Sequence, residues 1–456
     1  MIFKMSREIK IKPLTRVEGH GQVIIRIDLE KQKLKEVEFS IIESPRFFEK
    51  ILKGKPAEEA PRITERICGI CFVDHHLASV KAVENAWGAT IPETALMLRK
   101  IIHYADFVTS HILHLAFLCL PDLVDIKERN FLGLAKSNPE LVKEALVLHE
   151  YGNKVVQQIG GRAIHPVTAI PGGMVNPLPK EQKAQMLTET VQALEQAKHF
   201  ADESLRIIED KTQAFKYPTT GNYYLSLVKN SSHEIYDGIL TMLDKKANET
   251  STFDAQKYLE HIAERVSDHS FVKLPYIKTK GFPDGMYRVG PLARLNVMKN
   301  IPGAVTKDYL NSYLRVFGKP SDNLMAYNMA RVIEIVNAIE SVQELLNHEN
   351  ITSTDIRRPV KEKKGIGVGI VEAPRGVLIH NYRTNSDGII TDANVISPTT
   401  QNAPSIEADL QKMAEQNLEK LIQPENRESL WQMETLVRAY DPCISCATHL
   451  VRVVRE

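Results

Sequence analysis

Two Cys-x-x-Cys pairs stand near opposite ends of the chain and constrain its fold more than any other feature. The first is Arg66-Ile67-Cys68-Gly69-Ile70-Cys71, followed by His75 and His76. The second is Asp441-Pro442-Cys443-Ile444-Ser445-Cys446, followed by His449. Two cysteines three positions apart can face one soft metal ion, because thiolates are soft ligands and the spacing is short. Two such pairs make a four-sulfur site. Cys71 and Cys443 are 372 positions apart, so a shared metal joins the two ends of the folded chain.

Other readings of the pairs stay open at this point. A structural zinc site also uses two pairs, usually about 15–20 residues apart on a small ribbon. Disulfides suit secreted proteins, and no secretion signal is visible. A dithiol redox motif needs a thioredoxin-like βαβ context, which neither pair has. The fifth cysteine, Cys119, lies in the apolar run from Leu113 to Leu120 and reads as a buried small hydrophobe.

The 456 residues could form about three domains of ordinary size and can bury a large core. With 58 basic and 57 acidic residues the formal net charge is +1, which points neither to nucleic acid nor to disorder. The start, Met1 to Met5, runs straight into charge without a signal-peptide pattern. No stretch reaches the ~20 uncharged apolar residues that span a bilayer. The chain is expected to be soluble and cytoplasmic.

Hydropathy patterning predicts mainly helix with small β-sheets, an α+β chain with a long-helix core. A β-hairpin is expected over about 8–42, from the alternation in Gln22–Leu29 and Val37–Ile41. Pro61 can open a helix that carries Arg66 toward the first pair. Residues 91–120 read as a long apolar helix. Asn138-Pro139 marks a helix start, and Pro179 opens another that runs to about Phe215. Later helices are expected over 324–347 and 405–422. Residues 216–300, rich in Gly and Pro, read as an irregular or small β-containing excursion. Ile366-Gly367-Val368-Gly369-Ile370 is strand-like; no helix opens after it, so it is a weak phosphate-binding candidate.

With these residues in view, the chain resembles the large subunit of the [NiFe] hydrogenases. Besides the cysteine pairs, Leu14-Thr15-Arg16-Val17-Glu18-Gly19-His20-Gly21 is similar to that family's N-terminal motif. Gly160-Gly161-Arg162-x-x-His165-Pro166 resembles its central motif. Glu372-Ala373-Pro374-Arg375-Gly376 and Pro398-Thr399-Thr400-Gln401-Asn402 resemble its last inner motifs. The six elements follow the family's order across residues 14–449, which implies one large-subunit domain over 1–449. Residues 450–456 are then a candidate cleavable C-terminal extension.

The resemblance implies a NiFe(CN)2(CO) centre held by Cys68, Cys71, Cys443 and Cys446, with Cys71 and Cys446 bridging nickel to iron. It implies Glu18 as the proton relay and Arg375 above the metals. Pro374 and Thr399 line the diatomic ligands, and His75 donates to a bridging sulfur. Glu49, the Val395 carbonyl and His449 match ligands of a magnesium ion, a chemically reasonable hard-ion set. His165 is expected to face the partner's nearest iron–sulfur cluster. Arg66, Arg375 and His75 could offset the anionic thiolate set.

Where membrane-bound uptake enzymes carry Asp-His, this chain has Ser110-His111, and Gln401 replaces a common tryptophan. Both resemble the soluble, cytoplasmic, bidirectional branch, NAD(P)-linked or sulfhydrogenase-type. Splitting H2 heterolytically needs a Lewis acid and a base. The implied bases are the Cys443 thiolate, passing its proton to Glu18, and Arg375 as a rival. No spare cysteines exist for an electron relay. An Fe-S small subunit is therefore required, with diaphorase (flavin) NAD(P)-reducing subunits beyond it. Nickel-insertion and C-terminal-processing maturation factors are implied as further partners; nucleic acid is not. A hydrogen sensor and a structural zinc protein are the alternatives. A respiratory-complex relative is disfavoured, because such subunits have lost these cysteines.

Overall fold

A computed structural model describes residues 6–212, 217, 219–246, 248–423 and 426–448. His449 and the candidate extension lie outside the described residues. The N-terminal alternation folds as β1 (Ser6–Ile11), β2 (Gly21–Asp28) and β3 (Lys33–Ile41), antiparallel and in that order. The expected hairpin is thus part of a three-stranded sheet. β1 is hard to read because only Ile9 and Ile11 turn inward between charged neighbours.

Pro61 sits in the first turn of the short helix Ala60–Thr64, and a tight 3-10 turn, Glu65–Ile67, delivers the chain to Cys68. Helix α1 (Phe72–Trp87) begins directly at Cys71. It ends at Gly88, whose φ of +63° suits a residue without Cβ. The apolar run after it forms α2 (Glu93–Ile112), which continues through a π-helical stretch, Leu113–Cys119, into Leu120–Leu123. Residues 93–123 are long and apolar enough to cross a membrane by length and composition, although Asp106 and Asp122 keep the uncharged run below the expected spanning length. In this fold 83% of the apolar window is buried against protein, as in a core helix. The core is completed by α3 (Pro139–Gly160), α4 (Lys180–Thr212) and α5 (Ala326–Asn347). α2 packs on α3 and α5, and α5 on α4.

The 216–300 excursion is more regular than expected. β4 (Tyr223–Lys229), β5 (Ile239–Leu243) and β6 (Thr250–Phe253) join two short strands in a five-stranded sheet, and Ile262–Val266 pairs with Lys273–Ile277. A second apolar cluster lies between this sheet and the C-terminal meander β7 (Gly365–Ala373), β8 (Gly376–Thr384) and β9 (Ile390–Ile396).

The glycines of β7 have a packing reason, not a phosphate-binding one. A Cβ at Gly365, Gly367 or Gly369 would lie 1.9, 2.0 or 1.9 Å from the carbonyl oxygens of Ala86, Ala82 and Ala78. Small residues every second position of β7 meet alanines every fourth position of α1, so strand and helix backbones touch. This contact fixes the start of α1, and with it Cys71, against the turn that carries Arg375.

Helix α6 (Pro398–Gln416) starts seven residues before the expected 405. Pro404, inside its second turn, hides the start, since an internal proline reads as a break. The motif Pro398–Asn402 is therefore the first turn of a helix. The helices Ala304–Phe317 and α7 (Arg427–Tyr440) were not expected; α7 leads into the second cysteine pair.

Candidate metal centre

The two cysteine loops meet. Cys71 Sγ lies 2.8 Å from Cys446 Sγ, and Cys443 Sγ lies 3.0 Å from Cys446 Sγ and 3.3 Å from Cys68 Sγ. All four sulfurs fall within 4.8 Å of one another, all are buried, and none is in a disulfide. The backbone N–H groups of Ile70 and Cys71 point at Cys68 Sγ, at 3.2 and 3.5 Å.

The charge balance of this cluster calls for a cation. Neighbouring thiols, Cys443 first, together with backbone N–H groups pull the Cys68 thiol down. Burial pushes Cys71 and Cys446 well up, and Cys443 up to about 12. One thiolate is tolerated in this dry pocket, and four are not without a positive ion between them. The donor set is therefore that of a soft divalent metal. Cys119 stands apart; burial pushes its thiol up to about 12, as an inert core residue requires.

Two chain crossings hold the loops. Ile444 N–H donates to the Glu18 carbonyl at 3.0 Å, in a parallel bridge of Glu18 with Cys443. The Glu18 carboxylate receives Ser445 N–H at 2.9 Å and Ser445 Oγ–H at 2.5 Å. Sequence reasoning did not single out Arg46. Its Nη2 donates to the Ile67 carbonyl and, at 2.6 Å, to the Ser445 carbonyl, tying the two loops together. Arg66, expected beside the thiolates, is instead exposed.

Arg375 is 3% exposed, in the turn between β7 and β8. Its Nη1 donates to Ser110 Oγ at 3.0 Å, its Nη2 pairs with Asp441 Oδ1 at 3.0 Å, and its Nε donates to the Asp441 carbonyl at 2.9 Å. Burial opposes its charge, but Asp441 and the cysteines outweigh burial and keep it protonated. Asp441 in turn sits well below the usual carboxylate range: burial raises it, and Arg375 and His114 more than offset that. Behind the turn, Arg294 donates to the carbonyls of Ala373 and Pro374 at 2.9 and 2.8 Å while paired with Glu334 and Glu372. Pro374 is buried there. Thr399, at the start of α6, accepts Cys443 N–H at 2.9 Å.

His75 lies one turn into α1 with its Nδ1 3.0 Å from His380 Nε2. His165 is half-buried, its ring edge-on to Phe72 at 5.7 Å. Gln401 is fully buried and bonds Tyr287 and the Val377 carbonyl. Glu49, 1% exposed, accepts Val395 N–H at 2.8 Å and lies 3.6 Å from Lys273 Nζ. Lys273 also meets Glu264 at 3.0 Å and Asn394 Oδ1 at 2.8 Å. Lys273 beside Glu49, with its own partners Glu264 and Asn394, was not foreseen. Nor were Asp74 and Asp106, two buried carboxyls within hydrogen-bonding reach of each other. His103 Nε2 is 3.1 Å from Asp74 but donates to the Glu372 carbonyl at 2.8 Å. Burial drives both carboxyls well above the usual range.

Comparison with known proteins agrees with this geometry. The family described as nickel-dependent hydrogenase matches residues 46–138 and 226–449, and one described as HoxL-like matches residues 8–44. One of the subunits of the F420-non-reducing hydrogenase vhu of Methanocaldococcus jannaschii is 44% identical over 416 residues, 90% of this chain and 99% of that one. The NAD-reducing hydrogenase HoxS subunit beta of Cupriavidus necator is 34% identical over 468 residues, 98% of this chain and 95% of that one. A crystal structure of an NAD+-reducing [NiFe]-hydrogenase in the H2-reduced state superposes with a TM-score of 0.91 at 32% identity, covering 97% of this chain and 99% of its own. Fold, four-sulfur cluster and relatives converge: the chain belongs to the nickel-dependent hydrogenase family and is a catalytic large subunit, an oxidoreductase acting on H2.

Proposed function

We propose that the four cysteines hold a NiFe(CN)2(CO) centre, with Cys68 and Cys443 as terminal nickel ligands and Cys71 and Cys446 bridging to iron. The observation that carries this is the cluster of four buried sulfurs within 4.8 Å, drawn from both ends of the chain. The close approach of Cys71 and Cys446 supports them as the bridging pair. When bound, the metal pair supplies the Lewis acid that polarises H2 and takes up its electrons.

The protein supplies the base and the path. The Cys443 sulfur takes the proton and passes it to Glu18, which the Ser445 side chain and N–H hold beside the second cysteine loop. Arg375 is a poor base, since Asp441 keeps its guanidinium charged; it serves as a fixed cation and donor over the site. Thr399, whose oxygen already accepts Cys443 N–H, can turn its proton toward a cyanide. With the centre bound, Pro374 would wall the same pocket and His75 would donate to a bridging sulfur.

Glu49, the Val395 carbonyl and His449 form the magnesium site. The Glu49 carboxylate, 1% exposed, supplies a buried oxygen donor of the kind a hard cation needs, its charge offset in this structure by Lys273 at 3.6 Å. Once nickel is loaded, a processing protease removes residues 450–456; an intact mass ending at His449 in the active protein tests this.

His165 faces the partner, an Fe-S small subunit that carries the electrons away. NAD(P) is the acceptor, on further flavin-bearing subunits in the cytoplasm. The NAD-reducing relative and the 0.91 structural match support this acceptor, although the 44% identical relative bears the name of an F420-non-reducing enzyme. The test is H2-dependent reduction by the purified complex. NADH or NADPH formation is expected, and reduction of artificial dyes without either overturns the acceptor.

A further inference from the structure

Four sulfurs can share a metal only while the loop at residues 68–71 and the loop at residues 443–446 keep one register. Their own chemistry does not hold them so. Buried sulfurs with no cation between them do not attract one another, and the loops come from opposite ends of the chain. The second loop is fastened from one side. Glu18 takes Ile444 N–H, Ser445 N–H and Ser445 Oγ–H, and Thr399 takes Cys443 N–H. Those four bonds fix it to the Glu18 segment and to α6, and none of them reaches the first loop.

Arg46 does reach it. Its side chain places a single nitrogen, Nη2, between the loops. One N–H donates to the Ile67 carbonyl, just before Cys68, and the other, at 2.6 Å, to the Ser445 carbonyl, just before Cys446. A terminal guanidinium nitrogen carries two hydrogens, so both are spent, one on each loop. The buried Nε makes no hydrogen bond, so the register rests on Nη2. The Arg46 backbone N–H donates to the Thr448 carbonyl at 2.8 Å and ties down the end of the second loop. Thr448 Oγ–H also donates to the Ser445 carbonyl, at 3.4 Å, but that bond stays within one segment.

The backbone at this point carries a second, independent sign. Phe47, next in the chain, has φ +56° and ψ +32°, in the left-handed region, although it is bulky. A residue of this kind stays there only where its surroundings hold it. The ring is 48% exposed, so packing rewards it little. The hold comes from bonds on either side. Arg46 grips Ile67, Ser445 and Thr448, and the Phe47 carbonyl accepts the N–H groups of Lys50 and Ile51, both at 2.9 Å. The strain is stored in a segment whose grip is on the two cysteine loops.

We propose that Arg46 is a positioning residue of the metal centre. Its Nη2 sets the register of the two cysteine loops; without it the four thiols open to solvent and the metal is held less tightly. The loss of metal rests on the metal-centre reading above; the register does not.

The test uses the full chain made without nickel and pulsed with iodoacetamide, the label on each cysteine being read by peptide mass spectrometry. Cys119, buried in the core outside the cluster, is the internal clock for opening of the whole fold. In the wild type the four cluster cysteines are expected to label far more slowly than in the urea-unfolded chain. Arg46→Met is expected to speed labelling of Cys443 and Cys446 by roughly tenfold or more, the size of one lost bond to a charged donor, with Cys119 unchanged. Arg46→Lys keeps a charged nitrogen with hydrogens for both carbonyls, and its rate is expected to fall between. Wild-type cluster cysteines that label at the unfolded rate overturn the proposal, as does an Arg46→Met chain that labels like wild type. Equal acceleration at Cys119 makes Arg46 a general stabiliser and overturns it too. A lysine variant as reactive as the methionine one overturns the bridge through one nitrogen. Release of nickel from the assembled complex to a chelator gives the second readout, fastest in Arg46→Met, slower in Arg46→Lys and slowest in wild type. Equal release in all three overturns the effect on the metal. A wild-type complex that holds no nickel refutes the metal-centre reading and leaves the labelling result standing.

Discussion

Cys71 and Cys446 place their sulfurs 2.8 Å apart although 375 positions separate them in the chain. That contact depends on two separate devices. The glycine-lined packing of α1 on β7 fixes Cys71, and the crossing of the Glu18 segment over Cys443 and Ile444 fixes Cys446. The first device predicts a mutation remote from the chemistry. In Gly367→Ala the new methyl would sit 2.0 Å from the Ala82 carbonyl. Overpacking of this kind costs about 1–3 kcal/mol. Lower thermal stability is expected, together with reduced nickel content as α1 shifts. A variant with wild-type melting temperature and metal content would show that the contact relaxes freely.

Glu18→Gln keeps the shape that accepts Ser445 N–H but cannot relay a proton. Nickel and iron should remain bound, while exchange of H2 with solvent deuterium slows about a hundredfold, the scale of a lost acid–base group. Para/ortho hydrogen conversion should suffer less. Exchange at the wild-type rate would make Glu18 a bystander.

Arg375→Lys retains a cation and loses the fork. One ammonium cannot keep the bonds to Ser110, to the Asp441 carboxylate and to the Asp441 carbonyl together. A rate loss of about a hundredfold is expected with the metals in place. Full activity would reduce Arg375 to a structural cation.

Asp74 and Asp106 set a pH dependence. Burial raises both carboxyls above their unfolded value, and for Asp106 the neighbouring Asp74 adds to the effect. A raised acid holds its proton in the folded state longer than in the unfolded one. Its contribution to stability is therefore highest in acid and falls as pH rises above the unfolded value of about 3.9. Asp106→Asn removes that penalty and gives Asp74 an amide donor. The variant should be more stable than wild type by about 1–3 kcal/mol at neutral pH, with the gap closing near pH 4. Thermal unfolding at both pH values checks this; equal stability at neutral pH would mean that the pair is neutral at no cost.

The sequence made the four-sulfur cluster legible because coordination chemistry dictates both residue type and spacing. Cys68, Cys71, Cys443 and Cys446 could be paired without any fold. The residues that orient them were not legible. Arg46 acts through carbonyls at 67 and 445, and Arg294 through carbonyls 79 and 80 positions away, so neither carries a local signature. Arg66 misled for the converse reason: it adjoins Cys68 in sequence, but the 3-10 turn faces it outward. At the fold level, long helices with clear caps were readable. α6 was cut short by Pro404, and β1 was masked by its charged outer face.

The central claim is that four thiolates from the two ends of the chain hold nickel and iron together. Elemental analysis of the purified complex, wild type beside Cys68→Ser, Cys71→Ser, Cys443→Ser and Cys446→Ser, tests it most directly. Iron of the partner's clusters is subtracted by analysing the separated large subunit. The account predicts nickel and iron in equal amounts in the wild type, and loss of nickel with loss of H2 turnover in each variant. Zinc in place of nickel, or any variant that keeps both nickel and turnover, would contradict it.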